Sequence, residues 1–309
     1  MKVLVTGASG YVGSVVCKNL WVQNNTVVAM DRNPCLHNYF SESYTGNFND
    51  IQNLLLDIDC VVHCAATSLV GPSIKDPAKY YKNNVQGTQE LLDAVVTQGI
   101  KRFVFISSAA CYGNPENGIC DILDTVTPIN PYGWSKRMTE IMLQDYYTAY
   151  GLNSVSLRLF NVAGADNELG QAKQATHIIA RIMESAMAEE TFTLFGDDFN
   201  SPDGTCVRDY IHVSDVARAV ESAVRFTEDC SSASIFNVGN SDGYSNLDII
   251  RAVEKNTTLD VKYKIGPRRK GDPDYLVADT TATQNQLNWQ PSLTLDDIVT
   301  SAYNYYNLK

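Results

Sequence analysis

Over the first 160 residues, short unbroken apolar runs alternate with segments whose apolar residues recur at helical spacing. KVLVT is the first run; a helix is predicted from about Gly10 to Trp21, and TVVAMD follows it. A short strand is predicted near Tyr44 and a helix near Asp50 to Leu56. Then come CVVHCA, a long helix from Pro77 to Gln98, KRFVFISS, a helix from about Gly133 to Tyr150, and SVSLRLF. Apolar strands without a polar face, separated by helices, predict an α/β fold: a doubly wound parallel sheet of Rossmann type, covered on both faces. Helix ends are marked in the sequence. Asp76-Pro77 supplies a cap and a first-turn proline, and Gly99 and Gly151 follow the last turns.

After Asn161 the rhythm changes to shorter elements with loops such as GDDFNSPDGT and GPRRKGDPD. This predicts residues 1–160 as a dinucleotide-binding domain and 161–309 as a smaller substrate domain, with segments near 207–240 returning to the first.

The turn after the first run reads Thr6-Gly7-Ala8-Ser9-Gly10-Tyr11-Val12-Gly13. Its glycines allow a tight turn and close backbone approach to a pyrophosphate, with a helix N-terminus facing the anion. Asp31 ends the second run and would accept from an adenosine ribose while repelling a 2′-phosphate, which favours NAD over NADP. Arg32 pulls the other way, as a cation suited to that phosphate.

Tyr132 and Lys136 lie four apart at the start of a predicted helix, so they share a face. A free phenol titrates near 10; an adjacent ammonium and an oxidised nicotinamide would both favour the phenolate, making it a usable base. Ser107-Ser108 ends a strand, where such sheets bind ligands.

Composition narrows the partners. Lys plus Arg is 24 and Asp plus Glu is 35, a net charge of −11, which suits neither nucleic acid nor an anionic membrane. No apolar run reaches the ~18 residues of a membrane span, and MKVLVTGASG reads as a strand rather than a secretion signal. A cytoplasmic protein is expected. The eight cysteines contain no C-x-x-C pair, and the four histidines (His37, His63, His177 and His212) are far apart, so no metal site is expected.

The runs VLVTGASGYVGS, VVHCAA, YYKNNVQGT, ISSAACYG, PYGWSK, LRLFNVAGA, DGTCVRDYIHVSDVA, FNVGN and PRRKGD span nearly the whole chain. In that order they resemble the extended short-chain dehydrogenase/reductase family, and within it the nucleotide-sugar 4-epimerases. The resemblance implies NAD as cofactor, with Ser108, Tyr132 and Lys136 catalytic and in contact with it. Tyr132 would take the proton of the sugar 4-hydroxyl, while Lys136 would hold the nicotinamide ribose and depress the phenol's pKa. On the cofactor side it implies Tyr11 and Val12 at the pyrophosphate, Asp31 at the ribose, Asn47 and Phe48 beside adenine, and Cys64, Ala65 and Ala66 beneath the cofactor. Asn83 and Phe160 join that set. Asn47 stands where relatives usually carry aspartate. For the nucleotide sugar it implies Asn161 and the cations Arg208 and Arg269 at the diphosphate, His177 and Phe195 at the nucleotide and its base, and Asp272 at its ribose.

Ala109 and Ala110 stand where dehydratases of the family carry an Asp-Glu pair and where UDP-glucuronate decarboxylases carry a glutamate. Ala110 also replaces the cysteine of the reductase–epimerase that makes GDP-fucose, with Cys111 one position away. What remains is hydride removal and return, hence C4 epimerisation, most simply of UDP-glucose and UDP-galactose. Reduction of a 4-keto sugar, epimerisation of UDP-GlcNAc, UDP-glucuronate or a UDP-pentose, and a non-catalytic NAD-binding regulator stay open. Ser68 replaces a lysine frequent in bacterial relatives, and Leu276, beside Tyr275, occupies a position that tunes pocket size. In the resembling enzymes the two long helices form a four-helix dimer contact, so a homodimer is expected. Its apolar side chains here are Tyr80, Tyr81, Val85, Leu92 and Val95 with Met138, Ile141, Met142, Tyr146 and Tyr150.

Overall fold

The computed structural model describes residues 1–172, 177–269 and 272–308, without the side chains of residues 49, 50, 52 and 53. The chain opens with strand β1 (Lys2–Thr6), helix α1 (Tyr11–Val22), β2 (Thr26–Asp31), β3 (Glu42–Thr45) and β4 (Cys60–His63). Short helices α2 (Val70–Lys75) and α3 (Pro77–Tyr80) lead through a π-helical turn, Tyr81–Gln86, into α4 (Gly87–Thr97). Then follow β5 (Arg102–Ser108), the short β6 (Ile119–Cys120), α5 (Pro131–Tyr150) and β7 (Asn153–Leu159).

Seven of the strands form one parallel sheet in the order β3-β2-β1-β4-β5-β7 and then Ala233–Val238. The order reverses between β1 and β4, the switch point at which such sheets bind ligands beyond their carboxyl ends. The apolar runs lack a polar side because both faces are buried. Val3, Val5, Val104 and Leu157 pack under α1 and α7 (Val213–Asp229). Leu4, Val61, Phe103 and Phe105 face Leu91, Leu92 and Val95 of α4 and Leu143 of α5.

The second lobe has its own core, where α6 (Ile178–Met187) packs Ile179, Ile182 and Met183 against Leu194, Ile249 and Ile298. Strand Phe192–Phe195 pairs with Tyr263–Gly266, and Val207–His212 pairs with Asn161–Ala163, Gly243–Ser245 and Tyr275–Ala278. The last of these also pairs with β6. Side chains tie the lobes together: the Tyr11 phenol donates to the Gly164 carbonyl at 2.7 Å, Lys18 meets Asp166 at 2.7 Å, and the Tyr39 phenol donates to Glu168 at 2.8 Å.

Local outcomes differ from the sequence reading at three places. The helix near residue 50 is 3₁₀, over Phe48–Leu55. α5 starts at Pro131, because Asn130 caps it by accepting from the Gly133 amide at 2.8 Å. The long helix runs without interruption from Pro77 to Thr97 but widens to a π turn at Tyr81–Gln86, where the Asn84 side chain clamps Thr67, accepting from its N–H at 2.8 Å and donating to its carbonyl at 3.0 Å.

Candidate active site

At the turn after β1, Gly7 has φ +72°, and a Cβ there would lie 2.6 Å from the Ala65 nitrogen. A Cβ on Gly13 would sit 2.0 Å from the Gly7 carbonyl oxygen. Gly10 donates its N–H to that oxygen at 3.0 Å and caps α1 without a side chain. The helix start thus has no side-chain acceptor and favours an anion. The Asp31 carboxylate, at the end of β2, accepts from the Ser9 amide at 3.1 Å and the Asn33 amide at 2.9 Å.

Beside this turn lies a cleft of about 740 Å³ lined by Gly7, Gly10, Asp31, Arg32, Asn47, Phe48, Cys64, Ala65, Ala66 and Asn83. The glycine cradle, the anion-favouring helix start and the carboxylate fit a dinucleotide. Met30, Asn33, Gln86 and Glu90 line the same cleft and escaped the sequence reading; their positions follow only once strand ends and the π turn are placed. The Tyr11 side chain leaves toward Gly164, which keeps only its backbone at the helix start. Phe160 is buried beside Tyr112, with ring centroids 6.4 Å apart, and does not line this cleft. Under the cleft floor, His63 is held between Thr6 Oγ1 at 2.7 Å and Thr88 Oγ1 at 3.0 Å, and burial lowers its pKa to about 3.

The second cleft, about 520 Å³, gathers Asn161, His177, Phe195, Arg208, Arg269 and Asp272. Residues 175–176 and 270–271 of the motifs around His177 and Arg269 lie outside the described residues. Arg208 donates from one guanidinium nitrogen to the Val207 and Pro273 carbonyls at 2.8 and 2.9 Å, while the other lies 4.0 Å from Asp272. This aims the cation without neutralising it by a close pair. The Arg269 guanidinium lies 4.0 Å over the Phe195 ring, so one face of that ring is already covered. Gly164, Tyr210, Tyr305 and Tyr306 also line this cleft; the two terminal tyrosines sit on an amphipathic helix, where sequence gives a core signal only. Leu276 packs on the cluster of Tyr112, Cys120 and Phe160 rather than in the cleft wall.

The segment from Cys64 to Leu69 joins the two clefts, with Cys64–Ala66 on one and Ser68–Leu69 on the other. The reactive trio lies against it. The Tyr80 phenol donates to the Leu69 carbonyl at 2.5 Å, and its ring meets the Tyr132 ring edge-on at 6.4 Å. The Ser108 hydroxyl is near enough to act on the Tyr132 phenol, and its Oγ accepts from the Ala110 amide at 3.2 Å. Close packing brings these groups together, since a Cβ on Gly133 would lie 2.4 Å from the Ala110 carbonyl oxygen. The Lys136 ammonium donates to the Ile106 carbonyl at 2.7 Å and sits 4.7 Å over the Phe105 ring and 5.9 Å from the Tyr132 ring centre.

Here the structure corrects one expectation. In the protein alone Lys136 does not depress the Tyr132 pKa: burial dominates and raises it to about 12, against a smaller lowering by the Ser108 hydroxyl. Burial also lowers Lys136 to about 8. A desolvated phenol and a desolvated ammonium each favour their neutral forms, so ionising Tyr132 needs a further positive charge in the site.

Residues 3–239 match the model of the NAD dependent epimerase/dehydratase family. The chain is 40% identical to a UDP-glucose 4-epimerase of Lactobacillus helveticus over 99% of this chain and 97% of that one. It superimposes with a TM-score of 0.93 on UDP-glucose 4-epimerase from Brucella ovis in complex with NAD, at 38% identity over 98% and 97% of the two chains. The enzyme from Bifidobacterium longum in complex with NAD+ and UDP gives a TM-score of 0.91 at 30% identity, covering 100% and 98%. With its switch-point cleft, glycine turn and Ser108–Tyr132–Lys136 trio, this chain belongs to the NAD-dependent epimerase/dehydratase family.

Proposed function

We propose that this chain interconverts UDP-glucose and UDP-galactose by NAD-dependent epimerisation at C4. The observation that carries the reading is the pairing of Ser108 with the buried Tyr132, beside the segment that joins the two clefts, with alanines at the two positions after Ser108. Such a site moves one proton and has no acid placed to expel a hydroxyl. The turn of Gly7, Gly10 and Gly13 and the Asp31 carboxylate would hold NAD, with Cys64–Ala66 beneath it; when bound, NAD supplies the hydride acceptor and the positive charge that the phenol lacks. Arg208 and Arg269 would neutralise the diphosphate, suited by the fork geometry of arginine. Tyr132 then accepts the 4-hydroxyl proton and Ser108 holds the oxygen, and the same groups return the proton after the 4-keto sugar has presented its other face.

The test is proton NMR of UDP-galactose with enzyme and NAD, without NADH or NADPH. Growth of the UDP-glucose anomeric signal to a stable ratio is the expected result. An unchanged spectrum overturns the reading and redirects it to other nucleotide sugars, or to 4-keto substrates with reduced cofactor.

The two lobes are read as an NAD-binding unit of residues 1–160, completed by segments near 207–240, and a nucleotide-sugar unit from 161 onward. A homodimer through α5 and the helix before it is part of the proposal. Trp134, Met138, Ile141 and Tyr150 are 42, 37, 46 and 52% exposed on α5, an apolar stripe that a second copy would cover. Tyr80, Leu92 and Val95, which the sequence offered to that contact, are core residues instead. A sedimentation mass near the 34.1 kDa of one chain would count against the dimer. Eight free cysteines support a reducing, cytoplasmic setting.

A further inference from the structure

One turn beyond Lys136, α5 buries a carboxylate that the proposed chemistry does not use. The Glu140 side chain is 0% exposed and meets the Arg158 guanidinium, 1% exposed, in a two-point fork. Arg158 Nε donates to Oε1 at 2.9 Å and its Nη2 to Oε2 at 2.8 Å. Ser107 Oγ donates to Oε1 at 2.7 Å, and Arg137 Nη1 to Oε2 at 3.2 Å. Cys111 Sγ is 3.8 Å from Oε1. The Arg158 guanidinium lies 4.7 Å over the Tyr112 ring, whose hydroxyl donates to Asn237 at 2.7 Å.

One carboxylate thus joins α5, the carboxyl end of β5 and β7. A buried ion pair is weak evidence for stability, since desolvation offsets most of its attraction. A third partner within hydrogen-bond distance, on the residue that precedes Ser108, gives this pair a role beyond holding the fold. Tyr132 and Lys136 sit on the same helix as Glu140, and Ser108 follows Ser107 directly. The spacing of Ser108 and Tyr132 therefore depends on how firmly β5 is held to α5, and Ser107–Glu140, like Lys136 on the Ile106 carbonyl, is a direct bond across that seam.

Resting on the epimerase reading above, we infer that Glu140 is a positioning residue for the reaction: by accepting from Ser107 it holds the Ser108 hydroxyl on the Tyr132 phenol. It touches neither cleft.

The test is Ser107→Ala beside Glu140→Gln and the double variant Glu140→Met/Arg158→Met. Ser107→Ala leaves the ion pair intact, so its fold survives. The expected result is a fall in kcat of roughly 10–100-fold, the scale of a misplacement of about 1 Å, with KM for UDP-galactose unchanged. Because the Ser108 hydroxyl lowers the Tyr132 pKa, the rise of kcat with pH should also move to higher pH. In the double variant two thioether chains replace the pair, so stability recovers while turnover stays low, for methionine cannot accept from Ser107 as a carboxylate does. Wild-type kcat and an unmoved pH profile in Ser107→Ala would overturn the inference, as would a double variant with full turnover. A wild-type enzyme inert toward UDP-galactose would instead overturn the epimerase reading, and the inference with it.

Discussion

Replacing Gly13 by alanine adds one methyl group where the backbone has no room. Its Cβ would stand 2.0 Å from the Gly7 carbonyl oxygen, 2.8 Å from the Gly7 carbonyl carbon and 3.1 Å from Ala8 Cα. All three neighbours are main-chain atoms, so no side chain can swing aside, and an ordinary contact needs the turn to open by more than about 1 Å. Gly7 cannot retreat freely, because its own Cα faces the Ala65 backbone and its carbonyl holds the Gly10 N–H. Overpacking of this kind costs about 1–3 kcal/mol of stability. The effect on the cofactor should be larger in proportion. Losing one hydrogen bond to a charged group costs about 1.5–3 kcal/mol, which weakens NAD binding roughly 10–150-fold. Titration of the NAD-free protein with NAD, followed by calorimetry, measures this directly, with the melting temperature as a second readout. If Gly13→Ala binds NAD within about threefold of the wild type, the turn does not cradle the pyrophosphate and the cofactor assignment of this loop fails.

Tyr132→Phe removes the proposed base but keeps the ring packing on Tyr80; turnover by NMR should fall about 10²–10⁴-fold, and a normal rate would refute the role. Arg208→Met removes a cation aimed by two carbonyls, so KM for UDP-galactose should rise and kcat/KM fall roughly 10–150-fold; steady-state kinetics with an unchanged KM would remove Arg208 from the diphosphate site. Lys136 gives a pH test in the NAD-free protein. Its folded value of about 8 lies below the usual 10.5, so between those limits the unfolded chain holds a proton that the folded one has lost. Its contribution to stability is therefore least favourable below about pH 8 and improves as pH rises toward 10.5. The melting temperature of wild type relative to Lys136→Met should climb across that window, and a flat difference would contradict the burial argument.

The parallel sheet was legible because its strands are buried on both faces, which leaves KVLVT, TVVAMD and CVVHCA without polar alternation. The turn glycines were legible because their demand is local. The π turn at Tyr81–Gln86 was not, since the Asn84 clamp on Thr67 joins residues 17 positions apart and has no periodic signature. Most candidate site residues carried motif signals and line the two clefts; Tyr11, Val12, Gly13, Phe160 and the trio Ser108, Tyr132 and Lys136 do not. The Tyr132 pKa could not be read at all: sequence gives its neighbours but not its burial, and burial decides the sign. Glu140 and Arg158 were silent for the same reason, as two charges 18 positions apart that only the fold brings within 2.8 Å.

The seventh strand of the main sheet has a consequence for how the chain is made. Ala233–Val238 pairs with β7 over its whole length, from Ala233 opposite Ser154 to Val238 opposite Leu159, and α7 covers the sheet face that β1, β4 and β5 share. During translation β7 therefore leaves the ribosome about 80 residues before its partner. At ordinary elongation speeds that interval lasts roughly 4–16 s, with an unpaired strand edge and an uncovered apolar face in the meantime. The substrate lobe cannot close in that interval either, because Ile179, Ile182 and Met183 pack on Ile249 and Ile298, which emerge later still. A truncation after residue 160 would leave the NAD-binding half in that exposed state permanently, prone to edge-to-edge association rather than to cofactor capture.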